Sequence, residues 1–160
     1  MKATVVIALA SSALAAVAKV PGQQANSVTE KNNGTEAGNW KLDDIQVLCG
    51  VPVPSNDLPA TDYSYVVGKV LAYGDADFPI GSGPANCKPV ACADKSKAGV
   101  SLCNDEPKLI NVNYQDIAFL AKQIYNKCKH PGDGQDYVQK GQAFNPDAAW
   151  NVVLGGDVGC

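Results

Sequence analysis

The chain has 160 residues, with 16 acidic residues against 13 basic ones and a formal net charge of −3. Every basic residue is lysine, whereas the planar guanidinium of arginine is the usual group that recognises phosphates and guanine bases. A negative chain without arginine argues against specific nucleic-acid binding, and we expect no nucleic-acid partner. The length suits one domain with a modest core.

The first 18 residues are typical of a signal peptide. Lys2 supplies a positive start, residues 5–16 are mostly apolar, and Ala16-Val17-Ala18 is a small-x-small cleavage site. The uncharged run over residues 3–18 is shorter than the roughly 20 residues of a membrane span, and no later segment is more apolar. We therefore expect a signal peptide over residues 1–18 and an exported chain with no transmembrane segment. Its formal charge after cleavage is −4, from 12 lysines and 16 acidic residues.

Residues 19–39 are polar and offer almost nothing to bury. A segment of this composition cannot offset the entropy lost on folding, so we predict a disordered leader. Asn33-Gly34-Thr35 is an N-glycosylation sequon, which predicts a glycan on Asn33.

Apolar patterning begins near Trp40, and we predict one folded domain over residues 40–160. Residues 45–49 have the composition of a strand that enters the core. Residues 51–59 contain three prolines and are predicted to form a loop.

Six cysteines follow the leader. An even number in an exported chain predicts three disulfides and no free thiol, with 15 possible pairings. Zinc binding is the alternative, but the spacing of Cys87 and Cys92 and the expected export favour disulfides. The six are Cys49, Cys87, Cys92, Cys103, Cys128 and Cys160.

Residues 61–74 fit two interpretations. As a helix, Val66 and Val70 share an apolar face and Gly74 ends the segment. As a strand, the β-branched and aromatic content fits equally well. The capping residues at both ends favour the helix, whereas Gly68 in the middle opposes it by about 1 kcal/mol.

Residues 75–89 are rich in glycine, proline, aspartate and asparagine and are predicted to form a long surface loop. Two short strands are predicted next, over residues 100–103 and 109–112. The turn between them is residues 104–107, whose composition is typical of turns.

Residues 113–128 carry the strongest helical pattern in the chain. Asn113 is a good N-cap, and Asp116 lies near the positive end of the helix dipole. Lys127 lies near the negative end. The apolar face recurs at helical spacing and consists of Ile117, Ala118, Leu120, Ala121, Ile124, Tyr125 and Cys128.

After this helix we predict a turn over residues 130–134 and strands over residues 138–144 and 150–154. Residues 145–147, Asn-Pro-Asp, are predicted to join the two strands as a hairpin turn. The elements together predict an α+β fold. We expect a small antiparallel sheet of four to five strands, with one or two helices packed on one face and three disulfides.

His130 is the only histidine. A catalytic triad would require this residue, together with a partner and a pocket. Its position just beyond a helix C-terminus is better explained as a cation at the negative end of the helix, or as an ordinary loop residue.

Paired carboxylates across a cleft could hydrolyse glycosidic bonds. Aspartates beside glycine, asparagine and proline are, however, typical of turns and caps, so we predict no catalytic residue and no cofactor. Asp75-Ala76-Asp77 lacks the rest of a calcium loop, so we predict no metal site. The acidic pairs are Asp43 with Asp44, Asp75 with Asp77, Asp105 with Glu106, and Asp133 with Asp136.

Several short motifs together carry a resemblance to a known class of proteins. They are the leader ending Ala16-Val17-Ala18, the even number of cysteines, Ser101-Leu102-Cys103-Asn104-Asp105, the helix over residues 117–128, Gly141-Gln142-Ala143-Phe144, Trp150-Asn151-Val152-Val153 and the terminal Cys160. With these motifs the chain resembles the small secreted cysteine-rich proteins of filamentous fungi, the candidate effectors of plant-associated species.

The last 60 residues are also similar to the α/β-sandwich killer toxin of smut fungi, which has more cysteines. In that toxin a helix ending in cysteine precedes a final strand and a closing cysteine. This likeness implies a fold rather than an activity. Secreted fungal ribonucleases also place a helix before a small sheet, but they use glutamate, arginine and two histidines. From one histidine and no arginine we expect no active ribonuclease of that kind, and a degenerate, non-catalytic relative stays open as an alternative.

The first functional hypothesis is a secreted, non-enzymatic effector, a virulence factor or toxin-like protein. It would act as a monomer by binding a host or competitor protein, or a cell-wall glycan. The alternatives are a secreted hydrolase that cleaves polysaccharide or RNA with two carboxylates, and a structural protein of the cell wall or matrix. We expect the partner surface on the long loop over residues 75–97 or near Tyr137. Its candidate residues are Asp75, Asp77, Phe78, Lys95, Lys97 and Tyr137.

Overall fold

The computed structural model describes residues 40–51 and 57–160. The predicted signal peptide, polar leader and Asn33 glycan, and most of the predicted loop over residues 51–59, lie outside the described residues. Within these residues the α+β prediction is confirmed, with two α-helices, one short 3-10 helix (Leu42–Asp44) and ten strands. In chain order the elements are β1 (Val47–Cys49), β2 (Leu58–Pro59), α1 (Ala60–Leu71), β3 (Asp77–Ile80), β4 (Asn86–Cys92), β5 (Ala98–Asn104), β6 (Ile110–Asn113), α2 (Tyr114–Cys128), β7 (Lys129–Pro131), β8 (Asp136–Val138), β9 (Gly141–Phe144) and β10 (Trp150–Gly156).

The main sheet is antiparallel and has five strands in the order β1-β9-β10-β5-β4. Strand β10 is central, and it pairs with β5 along its whole length, from Trp150 opposite Asn104 to Gly156 opposite Ala98. Every residue of β5 and β10 is buried, because both faces of these two strands are covered. The predicted hairpin turn over residues 145–147 joins β9 to β10, which are antiparallel neighbours.

Helix α2 covers one face of this sheet, as its sequence pattern predicts. The side-chain oxygen of Asn113 accepts a hydrogen bond from the backbone N–H of Gln115 at 2.8 Å, which is the N-cap interaction. A Cβ on Gly141 of β9 would lie 2.5 Å from a methyl carbon of Ile124 and 2.9 Å from the sulfur of Cys128. Glycine at this position therefore allows the helix to approach the sheet closely.

Residues 60–71 form a helix, so the helical interpretation of residues 61–74 is confirmed. Tyr63, Val66 and Val70 of α1 are fully buried and contribute to the same core as α2. Gly68 is exposed, and a Cβ there would meet nothing within 4 Å. The poor helix propensity of this one residue is outweighed by burial of the apolar face.

The three predicted disulfides are present and no described cysteine is free. Cys49–Cys128 ties the edge strand β1 to the end of α2, Cys87–Cys103 crosses between β4 and β5, and Cys92–Cys160 ties the last residue to β4. These pairings resolve the 15 alternatives that the cysteine spacing leaves open.

The C-terminal residues 157–160 lie on the sheet face opposite the helices. The hydroxyl of Ser101 donates a hydrogen bond to the carbonyl of Val158 at 2.5 Å. A Cβ on Gly99 would clash with the sulfur of Cys160 and with the Val158 side chain. The tail therefore packs directly on β5, and the Cys92–Cys160 disulfide holds it there.

The prediction of a long surface loop over residues 75–89 is wrong. This segment contains β3 and the first half of β4. Pro79 and Pro89 are tolerated because β3 belongs to a two-stranded sheet with β6 and β4 is an edge strand, where a missing backbone N–H is least costly. The predicted strands over residues 100–103 and 109–112 exist as β5 and β6, but they belong to different sheets.

Two predictions after α2 are also corrected. The single strand predicted over residues 138–144 is divided into β8 and β9, which lie in different sheets. His130, predicted to lie in a turn, is the middle residue of β7 and pairs with Tyr137 of β8. The small sheet β2-β8-β7 is built from strands of only two to three residues. Strands this short do not show a recognisable alternating pattern in the sequence.

Replacing a disulfide that closes a long loop should destabilise the protein more than replacing one that closes a short loop. The Cys49–Cys128 and Cys87–Cys103 pairs are separated by 79 and 16 residues. Double Cys→Ser variants should lose about 4.5 and about 3 kcal/mol, respectively, because the unfolded chain gains more entropy from the longer loop. Denaturant unfolding measures both losses, and a larger loss for the short loop would contradict the prediction.

Gly68→Ala should stabilise the protein by about 0.5–1 kcal/mol, because alanine loses less backbone entropy in a helix and the site has room for a Cβ. Gly74→Ala is the matched comparison. Gly74 has a φ of +65°, so the same change there should destabilise. Urea unfolding of both variants tests the pair, and destabilisation by Gly68→Ala would argue against helix α1.

Candidate functional site

The structure does not gather the six residues predicted to form a partner surface. Asp75, Asp77 and Phe78 lie together before and within β3. Lys95 and Lys97 lie in the connection between β4 and β5, where the ammonium of Lys97 is 3.0 Å from a carboxylate oxygen of Asp157. Tyr137 lies in β8. The six residues therefore lie on three separate surfaces.

The first surface is built around three aromatic rings. Tyr73 and Tyr114 stack with centroids 4.4 Å apart, and Phe78 meets Tyr114 edge-on at 5.8 Å. Tyr73 is 50% exposed, and nearby in the chain Leu71 is 46% exposed. Burial, and then the neighbouring Tyr73, raise the pKa of Tyr114 above its usual value. One face of the Tyr73 ring is therefore packed on Tyr114 while half of the side chain stays open to solvent.

The pairing of β3 with β6 brings these rings together from distant parts of the chain. Asp77 lies opposite Asn113, and Phe78 lies opposite Val112. The backbone N–H of Tyr114 donates to the carbonyl of Ala76 at 2.9 Å, and the side-chain amide of Asn113 donates to the carbonyl of Asp75 at 2.9 Å. The first turn of α2 is thus held against the segment that leads into β3.

The same pairing brings two carboxylates into electrostatic contact. Burial, and then repulsion from the negative charge of Asp77, raise the pKa of Asp116 above its usual value. The positive end of the helix dipole acts in the opposite direction at this position and is outweighed. The ion pairs within residues 40–51 and 57–160 do not include Asp77 or Asp116. We call the rings of Tyr73, Phe78 and Tyr114, together with Asp77 and Asp116 at the junction of β3 and α2, the aromatic–acidic patch.

The second surface is a shallow cleft of about 250 Å³, lined by residues of α1 and of the β4–β5 connection, including Lys95. The Asp94 carboxylate there accepts hydrogen bonds from the Lys69 ammonium at 3.3 Å and from the Tyr65 hydroxyl at 3.1 Å. The hydrogen bond from Lys69, then the one from Tyr65, and the charge of Lys69 lower the pKa of Asp94. Lys69 also donates to the carbonyl of Cys92 at 2.8 Å. These polar groups satisfy one another.

The third surface surrounds His130 and Tyr137, whose rings stack with centroids 6.3 Å apart. The Nε2 atom of His130 lies 2.8 Å from a carboxylate oxygen of Asp57, and Nδ1 lies 3.3 Å from the carbonyl of Pro131. Both ring nitrogens thus face oxygen acceptors, so neither is placed to take a proton from a nucleophile. His130 connects β7 to the chain before β2, and its partner Asp57 was not foreseen from the sequence.

The side chain of Tyr63 is fully buried in the core, where the negative charge of Asp57 acts on it. Its hydroxyl makes no hydrogen bond of standard geometry among the described residues, although the backbone of Gly156 lies near enough to lower its pKa somewhat. Burial, and then the negative charge of Asp57, raise its pKa far above the usual value. The hydroxyl is therefore neutral at physiological pH, and Tyr63 acts as a core residue.

No group of three or more His, Cys, Asp or Glu side chains that could hold a metal ion occurs among residues 40–51 and 57–160. Within the same residues no helix is long and apolar enough to cross a membrane. No protein-family model and no curated protein matches the chain.

Sequence reasoning missed most of the aromatic–acidic patch. Tyr73 follows the last residue of α1, so the helical spacing that places Val66 and Val70 in the core no longer applies to it. The sequence pattern explains Asp116 by the helix dipole alone, whereas the effect of Asp77 on it depends on the β3–β6 pairing. The signal present in the sequence was the N-cap Asn113, which fixes where α2 begins and hence where Tyr114 and Asp116 lie.

Asp116→Asn should stabilise the protein at neutral pH by about 0.5 kcal/mol, a small value because Asp116 is only half-buried and is screened by solvent. A carboxyl group whose pKa is raised by folding destabilises the native state when it is ionised. This penalty is fully present above the raised pKa, decreases as the pH falls through it, and vanishes below the usual aspartate pKa of about 4.

The difference in unfolding free energy between Asp116→Asn and the wild type should therefore disappear near pH 3. Asp133→Asn, in an exposed turn, removes the same charge elsewhere and is the control. A destabilising effect of Asp116→Asn at pH 7 would contradict the assignment.

Proposed function

We propose that this chain is a secreted, non-enzymatic binding protein, effector-like or toxin-like, that acts on a host or competitor molecule through the aromatic–acidic patch. One observation carries the proposal: Tyr73 is half exposed and stacks on Tyr114, which Phe78 meets edge-on. Exposed tyrosines supported from beneath by other rings lose little side-chain entropy on binding, and tyrosine is enriched among residues that dominate binding energy.

The disulfide framework supports secretion and a binding role. Three disulfides in one small domain are typical of proteins that work in an oxidising compartment. The patch is carried by the end of α1, by β3 and by the start of α2, and these elements are fixed by backbone hydrogen bonds and by the shared core. A preformed surface of this kind binds with a smaller entropic cost than a mobile loop.

A second candidate, a secreted hydrolase, is favoured by one specific observation. A carboxyl group with a raised pKa beside a second carboxyl group is the arrangement that glycosidases use for general acid catalysis, and Asp116 beside Asp77 has this character. Against this, neither carboxylate lines the cleft beside Tyr65 and Asp94.

The binding proposal is tested with two matched tyrosine variants of the secreted chain. Tyr73 and Tyr65 are 50% and 51% exposed, but only Tyr73 belongs to the patch. The immobilised chain should retain a component of extracellular or cell-wall fractions from a host or competitor. Tyr73→Ala should reduce the retained amount at least about tenfold, as is usual for a dominant binding residue, whereas Tyr65→Ala should leave it unchanged.

Equal retention by both variants would remove the patch from the proposal. A panel of polysaccharides and RNA tests the hydrolase alternative in parallel. Turnover that is lost in both Asp77→Asn and Asp116→Asn, and kept in Asp133→Asn, would replace the binding function by a catalytic one.

A further inference from the structure

We infer that the connection between β4 and β5 is a proteolytic processing site. A lysine-directed endoprotease hydrolyses the peptide bond between Lys95 and Ser96 there, and the product is a two-chain protein that keeps its fold. The cut divides the domain into a first part that ends at Lys95 and a second part, residues 96–160. This inference is independent of the proposed binding function and goes beyond it.

All three disulfides cross this connection. Three cysteines lie before it and three lie after it, and each disulfide joins one of the first group to one of the second: Cys49–Cys128, Cys87–Cys103 and Cys92–Cys160. Because β4 ends at Cys92 and β5 begins at Ala98, residues 93–97 are the described stretch outside helices and strands in which one cut is spanned by all three disulfides. The two parts therefore stay covalently joined after hydrolysis and keep a high effective concentration for each other.

The pairing of strands also crosses this connection. Strands β1, β2, β3 and β4 precede it, and they pair with β9, β8, β6 and β5, which all follow it. Among the described strands, none of the first part pairs with another strand of the first part. Helices α1 and α2, one from each part, contribute to the same core. Each sheet is thus built from both parts, and the cut leaves every strand pair in place.

The bond after Lys95 is accessible, and its peptide groups are not held by hydrogen bonds. Lys95 is exposed and Ser96 is partly buried. Within residues 40–51 and 57–160, no hydrogen bond involves the Lys95 carbonyl or the Ser96 N–H. A protease must draw the bond that it cleaves into its own cleft, which is easiest at an exposed loop with unpaired backbone groups. A trypsin-like protease carries a carboxylate in its S1 pocket, so its charge matches the lysine at this bond.

The other lysines after β1 are less suitable. The carbonyl of Lys97 accepts a hydrogen bond from the N–H of Asp157 at 3.2 Å, and the carbonyl of Lys108 accepts one from the Asn104 amide at 2.7 Å. Lys88 is followed by proline, whose ring and missing N–H make a poor fit to a protease cleft. The remaining lysines lie within helices or strands, or are buried: Lys69, Lys122, Lys127, Lys129 and Lys140.

The reaction adds one water molecule across the C–N bond of the Lys95–Ser96 peptide. Lys95 gains a carboxylate and Ser96 gains an amino group, both in an exposed loop where water solvates the new charges. Without reduction the mass increases by that of one water molecule and the two parts stay together, whereas reduction separates them. Tyr73 precedes the cut and its stacking partner Tyr114 follows it, so the aromatic–acidic patch is shared by the two parts and is kept as long as they remain folded together.

The inference is tested by brief digestion of the folded, secreted chain with trypsin, followed by mass spectrometry with and without reduction. Within the domain, the first new N-terminus should be Ser96. Lys95→Gln should slow formation of the two-chain form at least about tenfold, because the S1 pocket discriminates against a neutral side chain. Lys97→Gln is the matched control and should change the rate less than about twofold, because the exposed Lys97–Asp157 ion pair contributes little to the fold. Cuts that only separate the predicted leader are scored apart; they follow Lys19, Lys31 and Lys41.

The fold of the two-chain form is measured by near-UV circular dichroism and urea unfolding. Its spectrum should match that of the uncut chain, and it should unfold in one cooperative transition, because the core, the sheets and the disulfides are unchanged. A first cut within the domain at any other bond would overturn the inference, and so would equal cutting of Lys95→Gln. Loss of the native spectrum once Ser96 becomes a terminus would also overturn it, as would a domain that trypsin leaves intact until it unfolds.

Discussion

Burial of β5 and β10 on both faces is the constraint on which the rest of the structure depends. Helices α1 and α2 cover one face, where Trp150, Val152 and Leu154 point. The other face needs a cover as well, and residues 157–160 supply part of it across Gly99 and Ser101. The Cys92–Cys160 disulfide thus has a structural role, because it holds residues 157–160 against this face of the sheet.

Polar residues at the end of β5 connect this core to the candidate site. The amide of the fully buried Asn104 donates to the carbonyls of Gly81 and Lys108, both at 2.7 Å, and its oxygen accepts from the N–H of Glu106 at 2.9 Å. These bonds fix where the chain leaves β3 and where it approaches β6. The β3–β6 ribbon, and the start of α2 that follows it, are therefore positioned from the main sheet.

The parts of the fold that were predictable are those determined by local pattern. Helix α2 follows from the apolar period and the Asn113 cap, and the β9–β10 hairpin follows from its Asn-Pro-Asp turn. The β3–β6 pairing could not be predicted in this way. It joins residues 30 to 36 positions apart, and Pro79 is a typical loop signal although an edge strand accepts it.

The candidate site also depends on pairing between distant parts of the chain. Asp105 and His130, the polar residues most conspicuous in the sequence, have structural roles: Asp105 accepts a hydrogen bond from the Asn151 amide at 2.7 Å, and His130 contacts Asp57. The residues of the patch are ordinary in sequence and become distinctive only when β3 brings Asp77 and Phe78 to the first turn of α2.

Asp94 and Asp116 differ in the charge of the group beside the carboxylate. Both are aspartates near tyrosines, yet Lys69 and Tyr65 lower the pKa of Asp94, whereas burial and Asp77 raise that of Asp116. The first carboxylate has its ammonium partner within the chain, and the second has a like charge instead. Asp116 therefore carries an electrostatic cost that folding leaves in place, and such residual costs occur most often where a protein binds or reacts.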